Sequence, residues 1–262
     1  MKTGALLFAF DGDIKYTNLA VACAKQIKQH LGIPVTLITD QVKTFPNFDN
    51  QLLVESKPST NSRYWHDTDK STSWLNHSRS RSLELTPYDR TLVVDVDYIV
   101  NTDRLKILLE SEAPLFAHKQ VFSVDQQKSR CEKFGTKNAD MWWATVLVFD
   151  RSEFVQDVFA IWQMVEKNYR HYANFFGFNS LQFRNDYALS IALLVANGGI
   201  VPEHCNIPWA LFNVDTDVAF TNNSIVYQTL ENSKKKYKTI DIVDQDLHIM
   251  GKSYLEGAYA AC

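Results

Sequence analysis

Two aspartates separated by one residue, Asp95 and Asp97, form the pattern in this 262-residue chain that is best suited to chemistry. They follow residues 92–94, an aliphatic run that predicts a buried strand. Because burying a carboxylate without a partner is costly, two acids at the end of a buried strand need a cation, a hydrogen-bond cage or solvent. A hard divalent cation facing a phosphate would supply the missing charge. The pattern therefore predicts a metal site, although a single short acidic pattern also recurs by chance.

The first 40 residues predict a β-α-β unit that would present ligand-binding loops. An apolar run at residues 4–10 indicates a strand, an amphipathic pattern at 16–31 predicts a helix that stops at Gly32, and residues 35–38 indicate a second strand. Loops that leave the carboxyl edge of a parallel sheet are where ligands bind in such folds. A flavodoxin-like or other doubly wound domain, with ordinary turns at these loops, fits the same segment.

The rest of the chain continues the alternation of strands and helices and predicts an α/β fold with a mostly parallel central sheet flanked by helices. The patterns predict helices at 74–85, 105–112, 152–169 and from about 183 to 195, and strands at 51–55, 115–118, 146–149 and 200–202. Residues 119–140 are polar and uneven, so they fit either an acceptor loop beside a cleft or a disordered segment. The paired Trp142 and Trp143 fit either a stacking wall or the core.

The composition is that of an ordinary globular protein. The chain is 45% hydrophobic with a net charge of −3, which argues against a nucleic-acid binder that acts through its overall charge. The four cysteines lie far apart without metal-ligand spacing, so we interpret them as reduced thiols. No apolar run approaches the roughly 18 residues of a membrane span, and we expect a cytoplasmic location.

The chain resembles GT-A-fold glycosyltransferases, particularly the glycogenin-like and bacterial lipopolysaccharide-type retaining enzymes. The resemblance rests on Asp95-Val96-Asp97, on Leu85-Thr86-Pro87-Tyr88 before that strand, on an acid that opens a late helix, and on His-x-x-Gly-Lys at residues 248–252. It spans most of the chain. It implies one GT-A domain over residues 1–262, with a nucleotide-binding half at 1–100 and a sugar half with a smaller acceptor-side subregion at 101–262.

The resemblance also implies a set of donor-binding residues. Asp95, Asp97 and His248 would hold Mn²⁺ or Mg²⁺, which would bridge the phosphates of a nucleotide-diphosphate sugar, most commonly a UDP-sugar. Arg79 and Lys252 would contact the diphosphate, although the lysine directly follows Gly251, a shorter spacing than the family has. Phe10, Asp11, Tyr16 and Asp40 would lie at the base and ribose. These residues and Asp95 are the implied cofactor-binding set.

Asp186 and Arg79 are the implied catalytic residues. In the related enzymes an acid at the position of Asp186 lies next to the donor sugar, where it could act as nucleophile, as sugar anchor or as neither. An acid at the start of a helix is also a common cap, and Arg79 in Ser-Arg-Ser-Arg could be a solvated helix charge. The chain departs from the family at residues 144–146, where Ala-Thr-Val replaces Asn-Ser-Gly or Asn-Ala-Gly, so the resemblance leaves the sugar undefined.

The activity implied by the resemblance is metal-dependent transfer of a hexose or pentose to an acceptor hydroxyl, with retention of configuration. The acceptor could be a glycan, a protein or a small molecule. A nucleic-acid acceptor would require a basic face that joins Arg79, Arg81 and Arg184 with the lysines at 234–236. Those lysines are otherwise interpreted as solvated charges on a loop. The alternatives are a sugar-nucleotide nucleotidyltransferase, disfavoured by the single glycine in residues 10–13, and a non-catalytic nucleotide-sugar-binding module.

Overall fold

The computed structural model describes residues 1–12, 14–55, 62–65, 70–73, 79–179, 183–215, 218–220, 224–231, 234–241, 244–251 and 255. The strands are β1 (Thr3–Phe8), β2 (Val35–Thr39), β3 (Asn50–Leu53), β4 (Ser62–Trp65), β5 (Lys70–Ser73), β6 (Arg90–Val94), β7 (Tyr98–Ile99), β8 (Leu115–His118), β9 (Gln120–Ser123), β10 (Lys128–Cys131), β11 (Lys133–Phe134), β12 (Ala139–Asp140), β13 (Trp143–Phe149), β14 (Leu211–Val214), β15 (Val218–Phe220), β16 (Ser224–Glu231), β17 (Lys234–Asp241) and β18 (Leu247–Ile249). The helices are α1 (Tyr16–His30), α2 (Ser82–Leu85), α3 (Leu105–Glu110), α4 (Glu153–Lys167), α5 (Tyr169–Phe176) and α6 (Asn185–Ala196). Single 3₁₀ turns lie at Arg79–Arg81 and Glu203–Cys205.

The centre of the molecule is a six-stranded sheet in the order β3-β2-β1-β6-β13-β8. The first four of these strands are parallel, and β13 is antiparallel to both of its neighbours, so β8 points the same way as β6. Strands β1, β2, β6 and β13 are almost entirely buried, as their aliphatic sequences predict for strands covered on both faces. The predicted α/β architecture with a mostly parallel sheet is therefore confirmed.

The opening β-α-β unit forms as predicted. Helix α1 buries Leu19, Ala20, Cys23, Ala24 and Ile27, which recur with the helical period on one face. It ends at His30, and Gly32 follows with a positive φ of 69°, which lets its amide donate back to the carbonyls of the last turn. Because β1 pairs in parallel with β2 on one side and with β6 on the other, the loops after these three strands leave from one edge.

A second sheet, in the order β10-β9-β14-β18-β7, lies beside that edge. Strand β18 pairs in parallel with β14 and antiparallel with β7, so His248 is opposite both Asn213 and Tyr98. These strands are two to four residues long, too short to give a clear sequence period. The pairing brings the end of the described chain back to the segment that follows β6.

Several predicted elements differ from the structure. Residues 119–140 form β9 to β12 instead of an irregular segment. The predicted strand at 200–202 is wrong, because Gly198 and Gly199 both have positive φ and the chain then enters the 3₁₀ turn. The predicted helix at 152–169 is two helices that meet at Asn168. Within the predicted helix at 74–85, residues 74–78 lie outside the described residues and only Ser82–Leu85 is α-helical.

The burial of side chains also tests the interpretations of the paired tryptophans and of the lysines at 234–236. Trp142 and Trp143 are 1% and 6% exposed, so the core interpretation holds and the stacking wall does not. The lysines at residues 234–236 are exposed, as predicted, but they lie on strand β17 and not in a loop. Of the helices in the described residues, none is long and apolar enough to cross a membrane.

Candidate metal and nucleotide site

Asp95, Asp97 and His248 converge where β6 ends. Their ligand atoms all lie within 4.8 Å of one another. Asp95 directly follows β6 and Asp97 directly precedes β7, while His248 is the middle residue of β18. The antiparallel pairing of β18 with β7 sets His248 beside the two acids, and the Ile249 amide donates to the Asp97 carbonyl at 3.0 Å. Two acids and a histidine 151 residues apart along the chain therefore form one cluster.

The three side chains differ in exposure, which gives the cluster one open side. The side chains of Asp97 and His248 are 2% and 5% exposed, whereas that of Asp95 is 25% exposed. His248 Nε2 lies 3.6 Å from Asp97 Oδ1 and 4.0 Å from Asp95 Oδ2. A ligand would therefore reach the cluster from the side of Asp95.

The donor set fits Mn²⁺ or Mg²⁺. His248 Nδ1 lies 2.6 Å from Asn213 Oδ1, an acceptor, so Nδ1 donates and Nε2 is the ring nitrogen that faces the carboxylates. A divalent cation between Nε2 and the two carboxylates would be within reach of all three side chains. Carboxylate oxygens suit hard divalent ions, and imidazole is a common additional ligand for transition metals such as Mn²⁺. The predicted ligand set is thus brought together, and metal binding by it stays a prediction.

Arg79 is buried beside Asp95 and is not a solvated helix charge. Its Nη2 lies 2.6 Å from Asp95 Oδ1, and its Nη1 donates to the Ala144 carbonyl at 2.6 Å. The Arg79 side chain is 2% exposed. The two oxygens of Asp95 therefore have different partners, since Oδ1 faces the guanidinium and Oδ2 faces His248. Contact of Arg79 with a diphosphate stays a prediction.

Asp186 contacts the amide of Ala144, the residue whose carbonyl accepts from Arg79. It lies in the first turn of α6, yet its Oδ1 accepts from the Ala144 amide at 3.0 Å and its Oδ2 lies 3.1 Å from Arg184 Nη2. Residue Arg184, which precedes α6, makes no side-chain cap either. The Ala144 residue is thus held at its amide by Asp186 and at its carbonyl by Arg79. Its neighbour Thr145 accepts from the Asp95 amide at 2.9 Å, which fixes this segment against the acids.

The predicted base and ribose residues follow β1 and β2 at the same edge. Asp11 accepts from the Thr17 amide and hydroxyl at 2.9 and 3.0 Å, which ties the loop to the first turn of α1. Phe10 is buried, Tyr16 is partly exposed, and Asp40 accepts from Gln41 at 2.9 Å. Lys252 lies outside the described residues. A nucleotide role for each of these residues stays a prediction.

Two residues near the site, Asp246 and Asn213, are not among those predicted from the sequence. Asp246 is buried and accepts from the amides of Asn101 and Thr102, both at 2.8 Å, so it fastens the segment that carries His248. Burial raises the pKa of Asp246, and these amide donors oppose that rise. Asn213, which contacts His248, is the polar residue in the otherwise apolar β14, and an amide in such a strand is the signal that could have found it.

Cys23 is the thiol next to the acidic cluster. It is 1% exposed and its Sγ donates to the Tyr98 carbonyl at 3.5 Å. Burial, with Asp97 and Asp95 nearby, raises the pKa of the Cys23 thiol far above its ordinary value. Because the thiolate is the nucleophilic form, Cys23 is an inert core residue.

No protein family matches the chain, and no curated protein matches it. Similar solved structures include GlyE from Streptococcus pneumoniae (13% identity, 72% of this chain and 43% of GlyE, TM-score 0.44). LgtC in complex with donor and acceptor sugar analogues gives 15% identity, 72% of this chain, 70% of LgtC and a TM-score of 0.48. Mouse xyloside xylosyltransferase 1 gives 6% identity, 76% of this chain, 84% of that chain and a TM-score of 0.44. All three are glycosyltransferases.

The similarity is one of partial fold. The chain spans less than half of the GlyE chain, and every one of these overlaps has a TM-score below 0.5. Overlaps of this size assign neither an activity nor a substrate to the chain. Evidence for a function therefore comes from the residues at the end of β6.

Proposed function

We propose that this protein is a metal-dependent glycosyltransferase that moves a sugar from a nucleotide-diphosphate sugar to an acceptor hydroxyl, with retention. The observation that carries the proposal is the convergence of Asp95, Asp97 and His248 within 4.8 Å at the carboxyl end of β6. Ligands of open α/β sheets bind at that edge. UDP-sugars are the proposed donors, because the resemblance of the sequence favours them.

The charges of the cluster suit a diphosphate once a divalent ion is present. Asp95 and Asp97 carry two negative charges, and Arg79 beside Asp95 carries one positive charge. With His248 neutral, a divalent ion would change the sum from −1 to +1, which is complementary to the negative diphosphate. The carboxylates alone would repel that group, so the metal and the nucleotide are expected to bind together.

Each residue of the site has a proposed task. Asp95, Asp97 and His248 would hold the ion, and Arg79 would keep the Asp95 carboxylate in one orientation. When bound, Mn²⁺ or Mg²⁺ supplies positive charge where the departing diphosphate becomes more negative. Preorganised positive charge of this kind lowers the barrier because it need not be rearranged during the reaction.

The sugar would lie beside residues 144–146. Asp186 holds the Ala144 amide, so this carboxylate sets the position of the segment that we propose to contact the donor sugar. Both of its oxygens have protein partners, which favours an anchoring role over a nucleophilic one. The resemblance implies that Asp186 and Arg79 are catalytic, and these contacts favour positioning roles for both. A glycan, protein or small molecule is the proposed acceptor, with nucleic acid less favoured.

A non-catalytic nucleotide-sugar-binding module is the second candidate. The paired state of Asp186 favours it, because the acid closest to the proposed sugar position has no oxygen without a protein contact. The two candidates differ in turnover. Both would bind donor with metal, but only the enzyme would release the nucleotide.

The test is slow donor hydrolysis by the purified chain with Mn²⁺ and a panel of nucleotide sugars. We expect nucleotide release with at least one donor, loss of release in EDTA, and loss in Asp97→Asn. The matched control is Asp103→Asn, which removes an acid whose side chain is 74% exposed and should leave the rate unchanged. Binding without release would support the non-catalytic module. If no donor is bound or cleaved with metal present, the proposed function is wrong.

A further inference from the structure

Asn213 has a buried side-chain amide in β14, a strand whose other residues are apolar. Its side chain is 0% exposed, and β14 is paired on both sides, with β9 and with β18. The other residues of β14 are Leu211, Phe212 and Val214. An amide in such a position is costly unless its oxygen and nitrogen are both hydrogen-bonded.

The partners of Asn213 fix which way its amide points. Its Nδ2 donates to Asp215 Oδ1, because a carboxylate can only accept. Its Oδ1 is then the atom that lies 2.6 Å from His248 Nδ1. The Asp215 carboxylate is itself 3.6 Å from the Arg130 guanidinium. The orientation of the Asn213 amide is therefore set by Asp215.

This orientation selects one tautomer of His248. A neutral imidazole carries one hydrogen, and an amide oxygen at Nδ1 requires that hydrogen to be there. The lone pair is then on Nε2, which lies 3.6 Å from Asp97 Oδ1 and 4.0 Å from Asp95 Oδ2. A metal ligand needs that lone pair. The opposite tautomer would direct an N–H at the metal position.

We propose that Asn213 and Asp215 are positioning residues that hold His248 in the tautomer and ring orientation required of a metal ligand. The metal part of this inference rests on the proposed function, whereas the tautomer does not. Partners of this kind on the second nitrogen of a metal-bound histidine usually change metal affinity by about 10- to 100-fold when they are removed. The alternative is that Asn213 only fills its place between β9 and β18.

The first measurement uses the metal-free protein. Histidine ¹⁵N labelling and long-range ¹H–¹⁵N correlation report which ring nitrogen carries the hydrogen, and His248→Gln identifies the His248 signals. We expect the hydrogen on Nδ1. A hydrogen on Nε2 would overturn the inference without affecting the cluster itself. In Asn213→Leu, which fills similar space but offers no acceptor, we expect this preference to be lost.

The second measurement is a Mn²⁺ titration followed by electron paramagnetic resonance, in which free ion is counted directly. We expect Asn213→Leu to weaken Mn²⁺ binding by about 10- to 100-fold. The double variant Asn213→Asp/Asp215→Asn exchanges carboxylate and amide, so the new carboxylate at 213 can accept from both neighbours. It should bind Mn²⁺ about as tightly as wild type and more tightly than Asn213→Leu, because the acceptor at Nδ1 is restored.

The outcomes separate this inference from the proposed function. If wild type binds Mn²⁺ and Asn213→Leu binds it equally well, the positioning role is wrong and the metal site stands. If the double variant binds Mn²⁺ no more tightly than Asn213→Leu, the proposed role of the hydrogen bonds from residue 215 through residue 213 to His248 is also wrong. If wild type binds no Mn²⁺, the proposed metal site fails and the positioning role fails with it. Should Asn213→Leu not fold, the ring nitrogen that carries the hydrogen in the wild-type protein still tests the inference.

Discussion

Arg79 and Asp95 form an ion pair of 2.6 Å in which the arginine side chain is 2% exposed. The same guanidinium donates to the Ala144 carbonyl, and the Ala144 amide donates to Asp186. A continuous set of polar contacts therefore joins the cluster of Asp95, Asp97 and His248 to the segment proposed for the donor sugar. Since arginine presents several N–H groups in a fixed plane, its Nη1 and Nη2 contact both acceptors at once.

Removal of the Arg79 charge should destabilise the protein. In Arg79→Met, Asp95 loses its cation and the Ala144 carbonyl loses its donor, and breaking a buried pair in this way costs about 3 kcal/mol of unfolding free energy. Arg79→Lys should cost less, about 1–2 kcal/mol, because one contact can persist. Urea denaturation measures both.

The matched control for Arg79 is Arg81→Met. Arg81 is 47% exposed and pairs with Glu84 one turn away, a surface pair worth only about 0.5 kcal/mol or less. If Arg79→Met were as stable as Arg81→Met, solvent would be screening the Arg79–Asp95 pair and the site would not depend on it.

Two variants of Asp186 distinguish the effect of its hydrogen bond to Ala144 from the effect of its charge. Asp186→Asn keeps an oxygen for the Ala144 amide, so we expect a stability loss below about 1 kcal/mol, given that its partner Arg184 is partly exposed. Asp186→Ala leaves a buried amide without its acceptor and should cost about 1–3 kcal/mol. Donor hydrolysis should fall about 100-fold in Asp186→Ala, because misplacing a substrate-contacting segment has effects of that size.

The exposed Asp157→Asn on α4 is the control for the Asp186 variants. It should match wild type in stability and in rate. Equal hydrolysis by wild type and Asp186→Ala would remove Asp186 and the Ala144 segment from the donor site.

The central sheet and part of the candidate site could be predicted from local patterns in the sequence. Asp95 and Asp97 could be found because acids at the end of an aliphatic strand are a local anomaly, and β1, α1 and β2 because their apolar periods are long. His248 was found only through the resemblance of the carboxyl-terminal pattern, since a lone histidine has no local signature of a ligand.

The remaining features depend on contacts between distant segments. Strands β7, β14 and β18 are so short that their pairing, which brings Asn213 and His248 together, leaves no period in the sequence. The hydrogen bonds from Ala144 to Asp186 and from Arg79 to Ala144 use the backbone atoms of Ala144, which no side-chain pattern reveals. The incorrect strand at 200–202 followed from an apolar Ile-Val pair whose flanking glycines turn the chain.

His118 should make stability depend on pH below neutrality. It is 0% exposed, donates from Nδ1 to the Trp209 carbonyl at 3.1 Å, and burial lowers its pKa to about 3. Between pH 6.5 and about 3 the unfolded chain binds a proton that the folded protein does not, so stability falls as pH falls, by up to about 1.4 kcal/mol per pH unit.

The variant His118→Asn tests this dependence because its amide can still donate but gains no proton. Urea denaturation from pH 7 to pH 4 should give a flatter dependence on pH for the variant than for wild type. Identical slopes in the two proteins would show that His118 does not contribute to the loss of stability in acid.

The most direct test of the central claim is to locate the metal. Crystals grown with Mn²⁺ and UDP, with diffraction recorded on both sides of the manganese absorption edge, give an anomalous map that identifies this ion alone. We expect one strong peak within coordination distance of Asp95, Asp97 and His248, on the open side of the cluster beside the diphosphate. A peak elsewhere, or none at saturating Mn²⁺, would contradict it.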